Sequence, residues 1–266
     1  MDILLVIKTI IMGLVEGATE FLPISSTGHL IIAGDLLNFL SKEKRDVFEI
    51  IIQLGAILAV CWEYRQRLTD KVAHLRGQAS SRGFFINLAI AFFPAALVGL
   101  LFHKQIKLHL FSPFTVACAL IMGGIAILLI EKYLKQGETK TVEEMTPLQA
   151  LKIGLAQTLS LVPGVSRAGA TILGGIATGL NRHAATEFSF FLAIPVMFAA
   201  SSFDLLKSYQ FLSAADLPIF AIGFTTAFAS ALLVIRILIR YVANHDFTVF
   251  AWYRIVFGLA VLAYYW

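Results

Sequence analysis

Pro23 interrupts an apolar run that otherwise reads as helix, and the residues around it are polar: Glu16-Gly-Ala-Thr-Glu20-Phe-Leu-Pro23-Ile-Ser25-Ser26-Thr27-Gly28-His29. Glu16 and Glu20 are four apart and share one helical face. The proline ends that helix, because its ring clashes with the preceding turn and the residue before it leaves the α region. Ser25, Ser26 and Thr27 then offer N-caps for a second helix over about residues 28–40. Such a helix start presents free N–H groups and the positive end of the helix dipole, a cradle for phosphate. Acids, a hydroxyl nucleophile, an imidazole base and an anion cradle lie within one short stretch. That combination describes a reactive site.

Its surroundings place it in a membrane. The chain has 266 residues and is 58% hydrophobic but only 14% charged. Ordinary soluble domains are roughly 45–50% apolar and about 25% charged. The mean hydropathy is +0.81. This length suits a single membrane domain, residues 1–266, without a soluble domain beside it. The net charge of +4 is too modest to suggest nucleic-acid binding and fits basic loops. Cys61 and Cys118 stand apart in apolar runs and read as small buried hydrophobes. The start of the chain lacks a basic segment and a small-residue cleavage site, so it reads as retained and not as a signal peptide.

Spacing predicts an all-α polytopic protein. Residues 3–20 carry Lys8, Glu16 and Glu20, and residues 28–40 are too short to cross, since a span needs about 20 residues. Together they read as a re-entrant hairpin, about 3–40, lining a polar cavity. A polar loop at Ser41–Asp46 precedes spans at about 47–64, 84–103 and 113–134, with a basic loop at 65–82. Glu131–Pro147 is the most polar stretch and reads as a midpoint linker. The order then repeats. Val162-Pro163-Gly-Val-Ser166-Arg167-Ala-Gly169 answers Leu22-Pro23-Ile-Ser-Ser-Thr-Gly28, with one residue inserted. A second hairpin at about 148–180 is followed by spans from about Glu187, at 217–241 and at 249–266. Residues 1–134 and 147–266 are thus expected to be two repeats of a re-entrant hairpin plus three transmembrane helices. Three crossings are odd, so the repeats have inverted topology.

The second hairpin supplies a cation. Arg167 sits between Ser166 and Gly169 at a helix start, where its fork can pair with phosphate oxygens. A structural pair with Glu16 or Glu20 is the alternative, since an arginine at membrane depth needs a partner. Thr171 lies on the same helical face and can bond the same anion. Glu49 with Gln53, and Glu187 with Ser189, read either as supports of the site or as helix–helix hydrogen bonds. His74, His103, His109, His183 and His245 fall near loops and read as solvated. Gly13-x-x-x-Gly17 and Gly175-x-x-x-Gly179 read as places where helices approach closely.

The first motif, together with Pro163-Gly-Val-Ser-Arg167 and Glu187-Phe-Ser-Phe-Phe-Leu-Ala-Ile-Pro195, resembles the bacterial undecaprenyl-pyrophosphate phosphatase family tied to bacitracin resistance. The resemblance covers nearly the whole chain. It implies removal of one phosphate from the C55 isoprenyl pyrophosphate carrier of cell-wall synthesis. It also implies dependence on a divalent cation, Mg2+ or Ca2+, and a site reached from the outer face of the inner membrane. One departure is Ala168, where the family commonly has a second serine, so that hydroxyl is not essential here.

The expected mechanism is phosphoryl transfer. Ser26 attacks the terminal phosphorus with His29, three residues on, as general base. Glu16 and Glu20 hold a divalent cation, or Glu20 positions His29 and water. Arg167 and the helix starts, with Ser25, Thr27, Ser166 and Thr171, bind the phosphate oxygens. Direct attack by water, with Ser26 only binding phosphate, is left open. A lipid-phosphate transporter or flippase of inverted-repeat type is the alternative function. The partners expected are the polyprenyl pyrophosphate and membrane lipid; a homodimer is left open.

Loop charge orients the chain. The side of the N-terminus carries Lys42, Lys44, Arg45, Lys104, Lys107 and Lys207. The other carries twice as many, Arg65, Arg67, Lys71, Arg76, Arg82, Lys132, Lys135, Lys140, Lys152, Arg182, Arg236 and Arg240. The positive-inside tendency makes the second side cytoplasmic and puts both termini and the first hairpin's mouth outside. In a background lacking Cys61 and Cys118, an impermeant thiol reagent should label Lys42→Cys but not Arg76→Cys in intact cells. The reverse pattern would invert the topology.

Overall fold

The computed structural model describes residues 2–135, 137–208, 210 and 213–266, and omits the side chains of residues 103, 107 and 214. The readings of His103 and Lys107 therefore lie outside the described residues. The first half comprises α1 (Ile3–Thr19), α2 (Ser26–Leu36), α3 (Lys42–Glu63), α4 (Arg65–Ala73), α5 (Ala79–His109) and α6 (Pro113–Tyr133). The second comprises α7 (Pro147–Gln157), α8 (Arg167–Ala177), α9 (Arg182–Ser208), α10 (Leu217–Val242) and α11 (Thr248–Tyr265). No strand occurs among the described residues; Thr139 and Leu180 form an isolated bridge.

Five helices are long and apolar enough to cross a membrane, namely α5 over Ala79–Phe102, α6, α9, α10 and α11. The α3–α4 pair makes a sixth if its 69° bend is counted within one span. The protein is an all-α, multi-pass membrane protein. By contrast α2 and α8, at 11 residues each, are only about 16 Å long. The hydrocarbon core is about 30 Å thick.

Local chemistry sets the helix ends. The Asp2 side chain caps α1 through Leu4 N, and Ser112 caps α6, with Pro113 in its first turn. Thr146 and Gln149 form a reciprocal capping box on α7. Several boundaries differ from the sequence reading: α5 runs Ala79–His109 where a span over about 84–103 was expected, and α9 begins at Arg182, ahead of Glu187. The polar loop at 41–46 is mostly the first turn of α3, where Glu43 favours the N-terminal end of the helix dipole. The basic loop begins as α4, which turns one apolar residue, Leu68, onto the core. And α2 starts and ends earlier than expected; Asn38 and Leu40 adopt positive φ of 46° and 52°, which helix cannot continue through.

The two halves interlock. α1 packs along α10 as α7 packs along α5, α3 lies against α9, and α6 lies against α11. The large core gathers Phe21 of the first hairpin with Phe84, Phe188, Phe190 and Phe191. Close approach is carried by small residues. A Cβ on Gly17 would fall 2.3 Å from the Ala227 carbonyl, and one on Gly154 2.5 Å from that of Ala91. Gly13 and Gly17 therefore act as expected, but Gly179 does not. It lies beyond α8 at a φ of +97°, where its carbonyl accepts from Thr139 N.

Ion pairs close both ends. Lys44 meets Asp216 at 2.8 Å and Arg45 meets Asp35 at 2.7 Å. At the opposite end Arg67 bridges Glu187 and Glu143, Lys71 joins Glu143, and Arg182 pairs with Glu131. Burial pushes the Glu143 carboxyl up, but hydrogen bonds from Lys71 and Arg67 outweigh it and hold the group below its ordinary range. Arg236 and Arg240 fall inside α10, and Arg236 pairs with Glu63. Cys61 and Cys118 are half-buried rather than fully buried. His74, His109 and His245 are exposed and His183 is half-buried.

Gly17→Ala should lower the thermal midpoint in detergent, because overpacking costs about 1–3 kcal/mol. Gly83→Ala, whose Cβ meets nothing within 4 Å, should leave it unchanged or raise it. Equal midpoints would show that the α1–α10 contact is not tight.

Candidate active site

The site forms where the hairpin turns meet. Ser25 and Ser166 take nearly the same unusual backbone, φ 72° and 75°, a region costly to residues with a side chain. Each then caps the helix it precedes. Ser25 Oγ accepts from Gly28 N and Ser166 Oγ from Gly169 N, at 3.5 and 3.0 Å. The next residue in each turn is one of the expected site residues, Ser26 in the first and Arg167 in the second. The Ser166 hydroxyl also donates to the Leu22 carbonyl across the junction, at 3.5 Å.

Glu20 joins the two. One carboxylate oxygen accepts from the Ser26 hydroxyl, and the other accepts from Arg167 Nη2 at 3.1 Å. Arg167 Nη1 donates to the Ser189 carbonyl at 3.1 Å, and its guanidinium lies over the Phe21 ring. Its Nε is buried without a hydrogen-bond partner among the described residues, as are both carboxylate oxygens of Glu16. Glu16 is 1% exposed. Buried groups left unmatched in this way cost stability unless something else meets them.

The remaining expected residues fall at varying distances from this centre. Thr171 donates to the Arg167 carbonyl at 2.9 Å and meets the Ser189 hydroxyl at 2.6 Å, so it holds the arginine's surroundings from behind. Thr27 is half-buried beside Ser26 and has no hydrogen-bond partner in the described structure. His29, expected as the base for Ser26, faces elsewhere. Its Nδ1 lies 2.7 Å from the Ser25 carbonyl and its Nε2 2.6 Å from the Tyr253 hydroxyl. A carbonyl only accepts, so Nδ1 carries the proton, and in the neutral ring Nε2 accepts from Tyr253. The imidazole also stacks on Phe257, with centroids 4.2 Å apart. Glu187 serves Arg67, while Gln53 accepts from Ser201 at 3.1 Å and ties α3 to α9.

Sequence reasoning missed Ser189's contact with Arg167, the Tyr253–Phe257 wall and, above all, Arg254. Arg254 is 1% exposed and faces no carboxylate. Its Nη1 donates to the carbonyls of Pro23 and Val165 at 2.8 and 3.0 Å. Its Nη2 donates to Ala119 and Gly164, both at 3.0 Å, and Nε to Leu120 at 3.2 Å. All five N–H groups of the guanidinium are used. One lone arginine in the apolar run 249–266 was the available signal, because intramembrane charge is rarely idle.

A family model described as "Bacitracin resistance protein BacA" matches residues 9–260. The chain belongs to the BacA family. A BacA-family relative from Methylobacillus flagellatus, named undecaprenyl-diphosphatase, is 61% identical over the whole of both chains. One from Rhodospirillum rubrum, named undecaprenyl-diphosphatase 2, is 60% identical over all of this chain and 97% of its own. A third, from Laribacter hongkongensis and named undecaprenyl-diphosphatase, is 57% identical over the same shares.

Within this BacA-family chain, Arg254→Leu should be severely destabilising, because buried carbonyls left without donors cost about 1–3 kcal/mol each. Arg254→Lys keeps the charge but has three donors in place of five, so its thermal midpoint should lie between wild type and Leu. An Arg254→Leu protein with the wild-type midpoint would show that the five contacts hold nothing together.

Proposed function

We propose that this chain is an undecaprenyl-diphosphatase, an integral membrane hydrolase that converts undecaprenyl pyrophosphate to undecaprenyl phosphate and inorganic phosphate. That activity recycles the lipid carrier of cell-wall synthesis. The observation that carries the reading is the Ser26–Glu20–Arg167 chain, a hydroxyl, a base and a phosphate-binding fork joined across two helix starts. The names of the relatives favour hydrolysis over the transporter alternative, and transport alone needs no hydroxyl placed on a base.

Ser26 Oγ attacks the terminal phosphorus as Glu20 takes its proton, and undecaprenyl phosphate leaves. Arg167 turns its fork from Glu20 to the equatorial oxygens, helped by the N–H groups at the starts of α2 and α8. Water then attacks the seryl phosphate. Glu20 returns the proton to Ser26 Oγ, and His29 Nε2, freed from Tyr253, takes one from the water. Thr171 and Ser189 keep Arg167 in place.

A divalent cation, Mg2+ or Ca2+, suits Glu16 and Glu20. Glu16 has both oxygens buried without partners, and Mg2+ commonly binds through one or two carboxylates together with substrate phosphates. Among the described residues no group of three or more His, Cys, Asp or Glu is gathered for a metal, so Glu16 and Glu20 would hold the ion together with the substrate. When bound, the ion neutralises phosphate charge.

Two inverted repeats, residues 1–134 and 147–266, account for the exchange of packing between halves and for the matched caps at Ser25 and Ser166. With the loop-charge orientation, this puts the cleft on the outer side of the bacterial inner membrane and both termini outside.

Phosphate release from the C55 pyrophosphate in detergent, where no gradient exists, tests the reading. Ser26→Ala should fall below about a tenth of wild-type turnover, a barrier change above about 1.4 kcal/mol, with its thermal midpoint unchanged. Arg167→Lys should recover only part of the roughly 10²–10³-fold loss expected of Arg167→Ala. Labelled phosphoryl-enzyme should accumulate in His29→Ala but not in Glu20→Gln. The opposite pattern would make His29 the base of the first step, and a fully active Ser26→Ala would remove the nucleophile.

A further inference from the structure

The basic stretch between α3 and α5 divides its cations unevenly. Arg67 and Lys71 are taken up by Glu143 and Glu187. Arg65 donates to the Trp62 carbonyl at 2.8 Å and stacks over its ring at 4.9 Å. Arg76 and Arg82 are exposed and form no ion pair among the described residues. They are held together, because Arg82 Nη1 donates to the Arg76 carbonyl at 3.1 Å.

Beneath them runs an open groove of about 610 Å³, lined by Leu75, Arg76, Arg82, Phe85, Ile86 and Ala89. Arg82, Phe85, Ile86 and Ala89 recur at i, i+3, i+4 and i+7, one face of α5. Arg82, Ile86 and Ala89 look away from the core, Ile86 being 52% exposed, while Phe85 is half-buried against it and floors the groove. The residues between point inward: Leu88 is buried, and Asn87 donates to the Met145 carbonyl at 2.9 Å. A membrane helix face needs only apolar side chains to meet acyl chains. Two guanidiniums at its head, without carboxylates, complement an anionic phosphate at the membrane surface.

We propose that this groove binds one anionic glycerophospholipid. Its phosphate sits between the Arg76 and Arg82 guanidiniums, and an acyl chain lies along Phe85, Ile86 and Ala89. None of the lining residues bonds to Ser26, Glu20 or Arg167, so the site is separate from the cleft and holds whatever the cleft's chemistry is.

The test is native mass spectrometry of the detergent-solubilised protein titrated with phosphatidylglycerol, phosphatidylcholine or a polyprenyl monophosphate. Wild type should retain one phosphatidylglycerol and no phosphatidylcholine. The double variant Arg76→Gln/Arg82→Gln should bind it about thirtyfold more weakly, near fivefold for each arginine. Arg65→Gln should bind as wild type, and Arg76→Lys/Arg82→Lys should restore most of the affinity. Phosphate release by the Gln double variant should stay at the wild-type rate, which reports that it is folded. Equal retention of the two phospholipids, undiminished binding by the Gln variant, or preference for the polyprenyl monophosphate would each overturn the proposal.

Discussion

A single guanidinium holds the two hairpins in register. Arg254 donates to carbonyls from the first hairpin turn, the second hairpin turn and α6. Those turns are irregular backbone inside a membrane protein, where neither water nor a regular ladder satisfies their oxygens. The arrangement also reverses the usual cost of burying a charge. Five carbonyl dipoles replace the hydration shell, and no carboxylate is consumed. The carboxylates nearby therefore remain free of Arg254: Glu20 serves Ser26 and Arg167, and Glu16 has no hydrogen-bond partner among the described residues. Gly123 lies under the guanidinium, and any Cβ there would fall 2.0 Å from Nη2.

Much of this was legible in the sequence. The two breaks were visible because Pro23 and Pro163 lie in them, a few residues beyond the ends of α1 and α7, and hydroxyl residues follow. The spans were visible because composition and length leave few alternatives. The mouth of the site was harder. Periodicity along a helix puts His29 beside Ser26, three residues on, whereas the turn at 20–25 folds Glu20 back onto Ser26 from six residues away. Helical spacing cannot report a contact made through a turn. Arg254 stood out as a lone charge in an apolar run, but its role was illegible, since its partners are backbone carbonyls that no residue type announces. α4 escaped because charged residues dominate it and its apolar anchor is one leucine.

The Ser25 and Ser166 caps show how one backbone device serves two purposes. A positive φ at a serine is disfavoured, and glycine would adopt it at less cost. Glycine would also lose the oxygen that accepts the Gly28 or Gly169 N–H. The strain and the cap together force the following residue to face the junction. In one half that residue is a hydroxyl, and in the other a guanidinium. Near-identical geometry thus brings a hydroxyl and a guanidinium to the same carboxylate, Glu20.

The position of Arg254 on α11, far along the chain from both turns, has a consequence for biogenesis. A chain leaves the ribosome from its N-terminus, so Ser26, Glu20 and Arg167 are synthesised long before the side chain that draws their turns together. Until α11 enters the bilayer, five turn and helix carbonyls lack their donor. Assembly of the cleft thereby waits on the synthesis and insertion of α11, and a partly made chain exposes the components of the cleft without their working geometry.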